Sequence, residues 1–252
     1  MPAVLAKRSI SWAVAMLAAT GVLVARAADL PDTQWLDVES RIQYGYYTED
    51  TRALEQVEAG LDTDTSGAAL RQYYLGLGEF RLAQLDQTHR ADRAKQAAER
   101  CVASLETAAE DAQSAAEALA LQAACYRLLA KLKPVSSPYL SLRAGNAMHR
   151  ALALAPRSPR VLLLESLADY DLHREGRAVI RELQTSVAAF EREREGVERP
   201  PSWGAAEAYA FLGRSLLEQG DAIGARGALE HALLLVPDFA YAHRLMARIT
   251  AG

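Results

Sequence analysis

Residues 206–239 constrain this 252-residue chain more than any other stretch. Tyr209, Leu212-Gly213 and Leu216 recur at steps of three and four; Ala225, Leu229 and Ala232 repeat the pattern, and Pro237 closes it. Apolar residues at that spacing lie on one face of a helix. Gly213 and Ala225 leave room for two helices to approach closely. Gln219-Gly220-Asp221 separates the two stripes: glycine can take the left-handed conformation that ends a helix, and aspartate caps the start of the next. Pro237 cannot continue the second helix, and Asp238 can cap a third that carries Phe239, Tyr241, Leu245 and Met246. Local rules therefore predict an antiparallel helix pair and a capping helix.

The same alternation runs upstream in weaker form. Residues 151–156 align with 232–237, and Ala144 and Met148 stand where Ala225 and Leu229 do. The first helix of that unit, covering about 116–158, carries Leu119, Ala123 and Tyr126 on its periodic face. Pro134 and Pro138 forbid a continuous helix, so residues 133–138 read as a lengthened connection on one face. A more degenerate unit spans about 70–110, with Tyr73, Leu77 and Phe80 on one stripe and Cys101, Leu105 and Ala108 on the other. Trp35, Val38 and Ile42, then Leu54, Val57 and Leu61, make a pair at 32–61. Val161 to Leu172 and Val179 to Phe190 make another at 159–195. Five hairpins and a cap predict an all-α chain.

The complete spacing of residues 206–239 resembles the tetratricopeptide repeat (TPR) family. That resemblance implies antiparallel hairpins stacked as a right-handed superhelix, an α-solenoid over residues 28–252, with the first helix of each pair lining a concave groove. It implies a non-catalytic module that binds a protein or peptide segment. On it, the groove candidates are Glu207, Phe211, Arg214 and Glu218 of the last repeat and Arg127 of the earlier one. The Lys/Asn clamp that some TPR domains use for a carboxylate terminus is not evident. The chain also resembles secreted bacterial TPR-like proteins of unknown function. The shared features are the N-terminal signal, a Tyr-rich first segment, a Cys-containing middle, Ser158-Pro159-Arg160 and the near-consensus last repeat. A glycine-rich stretch that often follows in that group is missing at residues 170–176.

Lys7 and Arg8 precede an apolar run over residues 10–24, and Ala25-Arg26-Ala27 offers a small-x-small cleavage pattern. The run is short for a bilayer span, so residues 1–27 read as a cleaved signal peptide and the product as periplasmic or secreted, bacterial, without stable membrane insertion. An uncleaved anchor is the alternative. Cleavage removes Lys7, Arg8 and Arg26 and no acid, which takes the formal charge from −4 to −7. Nucleic acid is an unfavourable partner for such a surface.

No motif for chemistry stands out. Cys101 and Cys125 are the only cysteines. In an exported chain such a pair suggests a disulfide, level on adjacent helices joined near Ala112-Gln113; two small buried residues are the other reading. His89, His149, His173, His231 and His243 are scattered, without the spacing of metal ligands. No phosphate loop, dinucleotide fingerprint or nucleophile elbow occurs, so no catalytic residue, metal or cofactor is assigned. Residues 191–195, Glu-Arg-Glu-Arg-Glu, read as a solvated helix end, and Arg143, Arg150 and Arg157 as a solvated row. Tyr44, Tyr46, Tyr47, Tyr73 and Tyr74 form an aromatic concentration. They fit helix packing best, with a glycan or peptide platform as the alternative. The sequence thus predicts an exported, non-catalytic interaction scaffold. The competing reading is an envelope enzyme or a glycan- or peptidoglycan-binding protein using the Tyr-rich half and the 133–138 loop.

Overall fold

The structure, a computed structural model, describes residues 32–63, 68–172, 176–196 and 199–251. The expected signal peptide at 1–27 lies outside the described residues. Within them the chain is all-α: α1 (Asp32–Tyr47), α2 (Thr51–Thr63), α3 (Ala68–Asp86), α4 (Ala91–Ala108), α5 (Ala115–Leu132), α6 (Ser137–Leu154), α7 (Pro159–Asp171), α8 (Gly176–Arg194), α9 (Ala205–Glu218), α10 (Ala222–Leu235) and α11 (Ala240–Ala251).

Local chemistry sets the boundaries. Gly220 takes φ +82° after α9, and the Asp221 carboxylate accepts a 2.8 Å hydrogen bond from the Gly224 amide to cap α10. Ser158 caps α7 by accepting from the Val161 amide, with Pro159 in the first turn. Asp50 accepts from the amides of Arg52 and Ala53 at the start of α2. The expected loop at 133–138 is more compact than its prolines imply. A 3-10 turn, Pro134–Ser136, runs directly into α6 with Pro138 in the first turn, where proline's missing amide leaves no bond unmade.

Each helix packs on its sequence neighbour, and the pairs stack in chain order as an α-solenoid. The odd-numbered helices form the inner layer: α1 lies on α3, α3 on α5, α5 on α7, and α9 on α11. The even-numbered helices form the outer layer. α3 is the central element, buried continuously from Tyr73 to Ala83. Small residues permit its close packing: a Cβ on Gly76 would meet Leu105 Cγ at 2.5 Å. In the last repeat Gly213 does the same for α9 on α10, with Leu229 Cγ at 2.7 Å from its would-be Cβ. Cys101 of α4 and Cys125 of α5 are joined as a disulfide, which ties the second hairpin to the third.

The solenoid closes on itself along α1. Glu39, Gln43, Tyr47 and Glu49 follow one another down that helix and its end, and each meets the C-terminal part of the chain. Glu39 accepts from the Ser202 amide at 3.0 Å and from its hydroxyl at 2.6 Å. Gln43 Nε2 donates to Glu207 at 2.9 Å, and the Tyr47 hydroxyl donates to the same carboxylate at 2.5 Å. The Tyr47 ring lies 4.6 Å from that of Phe239, and Glu49 pairs with Arg244 of α11. The first helix is thus sewn along its length to the last repeat and its cap.

Candidate functional site

The closed inner layer has two different ends. Toward the N-termini of the inner helices, the segment before α9 turns inward and fills the axis. Trp203 is 4% exposed. Its indole nitrogen donates to the Tyr73 hydroxyl at 2.8 Å, and its carbonyl accepts from Arg160 at 3.1 Å. Arg160 is itself buried and is held by Glu117 of α5 and Glu193 of α8. Burial alone would pull its pKa down, but the two carboxylates more than offset that and raise it. Gly204 sits at φ +114°, and a side chain there would strike Phe190 at 2.6 Å, so the plug needs glycine at this point.

Arg81 and Glu207 seal the middle of the axis. Both side chains are almost fully buried and form an ion pair. The Arg81 guanidinium lies 4.0 Å from the Tyr46 ring centre and 4.9 Å from that of Trp203, and it also donates to Gln43 and Gln84. Burying two charges is tolerable because their remaining donors and acceptors are also met. Burial pushes the Tyr46 hydroxyl up to about 12, so it stays neutral here. Glu39 has its pKa raised, chiefly by burial, although the bonds from Ser202 and Tyr74 act the other way.

Toward the C-terminal ends of the inner helices the axis opens into a pocket of about 790 Å³. Its apolar wall comprises Phe80, Leu128, Leu164, Phe211, Phe239 and Tyr241, among others. Its charged wall comprises Arg90, Arg127, Lys131, Asp171, Arg214, Arg244, Glu49 and Asp86. Phe80, Leu128, Leu164 and Phe239 are buried, and so is Asp86, whose carboxylate is held by Arg90 and Arg93, whereas Lys131, Asp171, Glu49 and Arg244 are exposed. The floor is apolar apart from Asp86, and the mouth is charged. Residues 87–90, the irregular connection after α3, form part of the lip.

The expected site residues separate accordingly. Phe211, Arg214 and Arg127 come together in this pocket. Glu218 stands at its edge, accepting from Arg214 at 2.9 Å and from the Tyr170 hydroxyl at 2.8 Å; burial and that carboxylate push the Tyr170 pKa up to about 12. Glu207 does not line the groove. It is 1% exposed, because α1 covers the first turn of α9 and Arg81 takes its charge. The tyrosines are chiefly packing residues: Tyr47, Tyr73 and Tyr74 are buried, Tyr74 stacks on Trp35, and Tyr44 is exposed. The charge run at 191–195 is not simply solvated either, since Glu191 accepts from the Tyr209 hydroxyl and Glu193 holds Arg160.

The pocket carboxylates do not converge in the manner of an acid–base pair. Glu49 is held by Arg244, Asp171 by Lys131, and Asp86 by Arg90 and Arg93. Both cysteines are in the disulfide, so neither offers a thiolate. His89 lies at the lip, His231 stacks on Tyr209, and His243 bonds the Pro237 carbonyl. Among the described residues no group of His, Cys, Asp and Glu is placed to hold a metal ion. None of the helices among them is long and apolar enough to cross a membrane.

No protein family's sequence profile matches the chain, and no curated protein matches it in sequence. Among solved structures, a chain of the APC/C hetero-tetramer Cut9–Hcn1 aligns at 14% identity with a TM-score of 0.40. The alignment covers 85% of this chain and 42% of the other, so this chain spans less than half of that one's length.

Proposed function

We propose that this protein is a non-catalytic, exported interaction scaffold of the cell envelope that grips a partner protein through the pocket at the C-terminal ends of its inner helices. The observation that carries the reading is the convergence of the inner helices, with the α11 cap, on one pocket with a largely apolar floor and a charged mouth. Pockets of this kind supply contact area from their floor and orientation from a few polar groups at their rim. The axis is plugged by Trp203 and closed along α1. An extended segment therefore cannot lie through the solenoid, and the partner presents a loop tip or a chain end. Export rests on residues 1–27 and on the cysteine pair, which suits an oxidising compartment.

The test is site-specific photocrosslinking in the native host. A photoreactive residue at Gln87 or Thr88 on the lip should capture a discrete protein, whereas the same residue at Glu230, exposed on the outer helix α10, should not. Identical products from both positions, or none from the lip, sink the reading. Intact mass of the mature protein checks export separately: loss of residues 1–27 is the expected result.

A further inference from the structure

Acidic residues are spread unevenly along the chain. The formal charge is −4 overall, yet residues 118–164 contain no Asp or Glu. Several cations of that stretch are matched from other elements: Lys131 by Asp171, Lys133 by Glu99, and Arg160 by Glu117 and Glu193. Arg127 belongs to the pocket wall. Arg143, Arg150 and Arg157 remain, and among the described residues none of the three is ion-paired with a carboxylate. The Arg143 guanidinium donates to the Tyr126 hydroxyl at 2.8 Å and to that of Tyr139 at 3.2 Å. Arg150 and Arg157 are exposed.

The same stretch displays apolar side chains to solvent. Val135, in the turn before α6, is 99% exposed, and Tyr139, Leu142 and Leu154 are each more than half exposed. Tyr139, Leu142, Asn146 and His149 follow at steps of three and four, so they share one face of α6. Arg143 and Arg150 lie one residue further round it. The opposite face, with Leu140, Ala144, Met148 and Ala151, is buried where α6 packs on α5. The helix meets α7 only lightly and contributes no residue to the pocket. It is therefore a ridge on the outer layer, with an apolar tip, cations along its length and no anion among them.

From this face we infer that α6 docks the protein on the surface of an anionic lipid bilayer, with Val135, Tyr139 and Leu142 entering the headgroup layer and Arg143, Arg150 and Arg157 facing the lipid phosphates. Tyrosine suits that level, since its ring is apolar and its hydroxyl stays wet. The contact is peripheral and reversible, because the apolar residues are few and α6 stays packed on α5. The acidic remainder of the chain does not prevent it: salt confines the interaction to charges within about 10 Å of the surface. An acidic protein would answer the arginines alone, whereas a bilayer surface answers the arginines and the apolar tip together. The inference does not depend on the pocket or its partner.

The test is flotation of the purified mature protein with vesicles of phosphatidylglycerol and phosphatidylethanolamine, and with vesicles of phosphatidylcholine alone. The expected result is binding to the anionic vesicles only, weakening as salt is added. Arg150→Gln/Arg157→Gln should weaken the partitioning about ten-fold or more, and Val135→Ser/Leu142→Ser about three-fold or more. All four side chains are exposed, so both variants should keep the wild-type thermal midpoint. Ile223→Ser/Leu234→Ser removes exposed apolar residues of α10 instead and should leave binding intact. Absence of binding to the anionic vesicles overturns the proposal, as does equal binding to phosphatidylcholine, in readouts that need no variant. So does undiminished binding by the arginine variant, or a loss in the α10 variant equal to that in the α6 variants. A photoreactive residue at Leu142 that captures a protein, with no vesicle binding, assigns the face to a protein and also overturns it. If the lip of the pocket captures a protein while the vesicles fail to bind, the scaffold reading stands and this one falls; vesicle binding with an inert lip gives the reverse.

Discussion

Arg81 of α3 and Glu207 of α9, 126 positions apart, form an ion pair in which both side chains are almost entirely removed from solvent. The pair joins the second hairpin to the last one, across the axis. Arg81→Met leaves Glu207 charged and buried with only Gln43 and Tyr47 to bond it. Loss of one partner of such a pair costs about 3–5 kcal/mol. Arg81→Met/Glu207→Leu removes both charges and should lie closer to wild type than Arg81→Met alone. Urea denaturation of the three proteins gives the comparison, and a double variant less stable than the single one contradicts the assignment.

Glu39 provides a pH signature. Its folded-state pKa is raised above the ordinary value of 4.5, mainly by burial. A raised pKa means that the folded protein holds the proton more tightly than the unfolded chain. The group's contribution to stability is therefore greatest below the ordinary value and declines as pH rises through the folded-state value. Glu39→Gln, which keeps an acceptor for Ser202, removes this dependence. The stability difference between wild type and Glu39→Gln should shift in favour of the variant as pH rises above 4.5. A difference that stays flat with pH refutes the assignment.

Two glycines predict opposite signs. Gly213→Ala places a methyl group 2.7 Å from Leu229 Cγ and 3.1 Å from the Ala225 carbonyl, and should destabilise by about 1–3 kcal/mol through overpacking. Gly145 lies within α6 with nothing within 4 Å of a would-be Cβ. Gly145→Ala should stabilise by up to about 1 kcal/mol, because alanine is the better helix former. Thermal unfolding of both variants reads the signs.

The disulfide closes a loop with a sequence separation of 24. Chain entropy alone makes such a bridge worth about 3.5 kcal/mol. Cys101→Ala/Cys125→Ala should lower the denaturation midpoint accordingly, and wild type in reductant should approach the same value. Free thiols in protein purified from its native host without reductant would contradict the bridge.

The hairpins were legible in the sequence because their signals are local. Gly220-Asp221, Ser158-Pro159 and Pro237 mark turns by backbone rules that need no tertiary partner. The closure was not, since nothing local tells Glu39 or Gln43 that residues near 200 will arrive beside them. The error over Glu207 has the same origin: it sits on the groove side of its helix, as the repeat pattern implies, but α1 occupies that groove. One signal was present. Residues 73–83 of α3 are apolar, aromatic or small on every side apart from Glu79 and Arg81, and a helix apolar all round is a buried one. Charges carried on it must find partners inside, and Arg81 finds Glu207. Packing was the expectation for the tyrosines from the general behaviour of the side chain, and it holds for Tyr47, Tyr73 and Tyr74 but not for the exposed Tyr44.

The seam along α1 alters how the chain must come together. In an open solenoid each repeat touches only its neighbours, so folding can start anywhere and spread outward. Here the inward face of the first helix waits for residues made some 160 positions later, such as Glu207 for Tyr47. Its polar groups keep their water until the last hairpin arrives, and loop closure over that span slows the final step. Once the seam shuts, the two ends of the chain stand or fall together. A lesion in the last hairpin should therefore loosen the first helix before the hairpins between them.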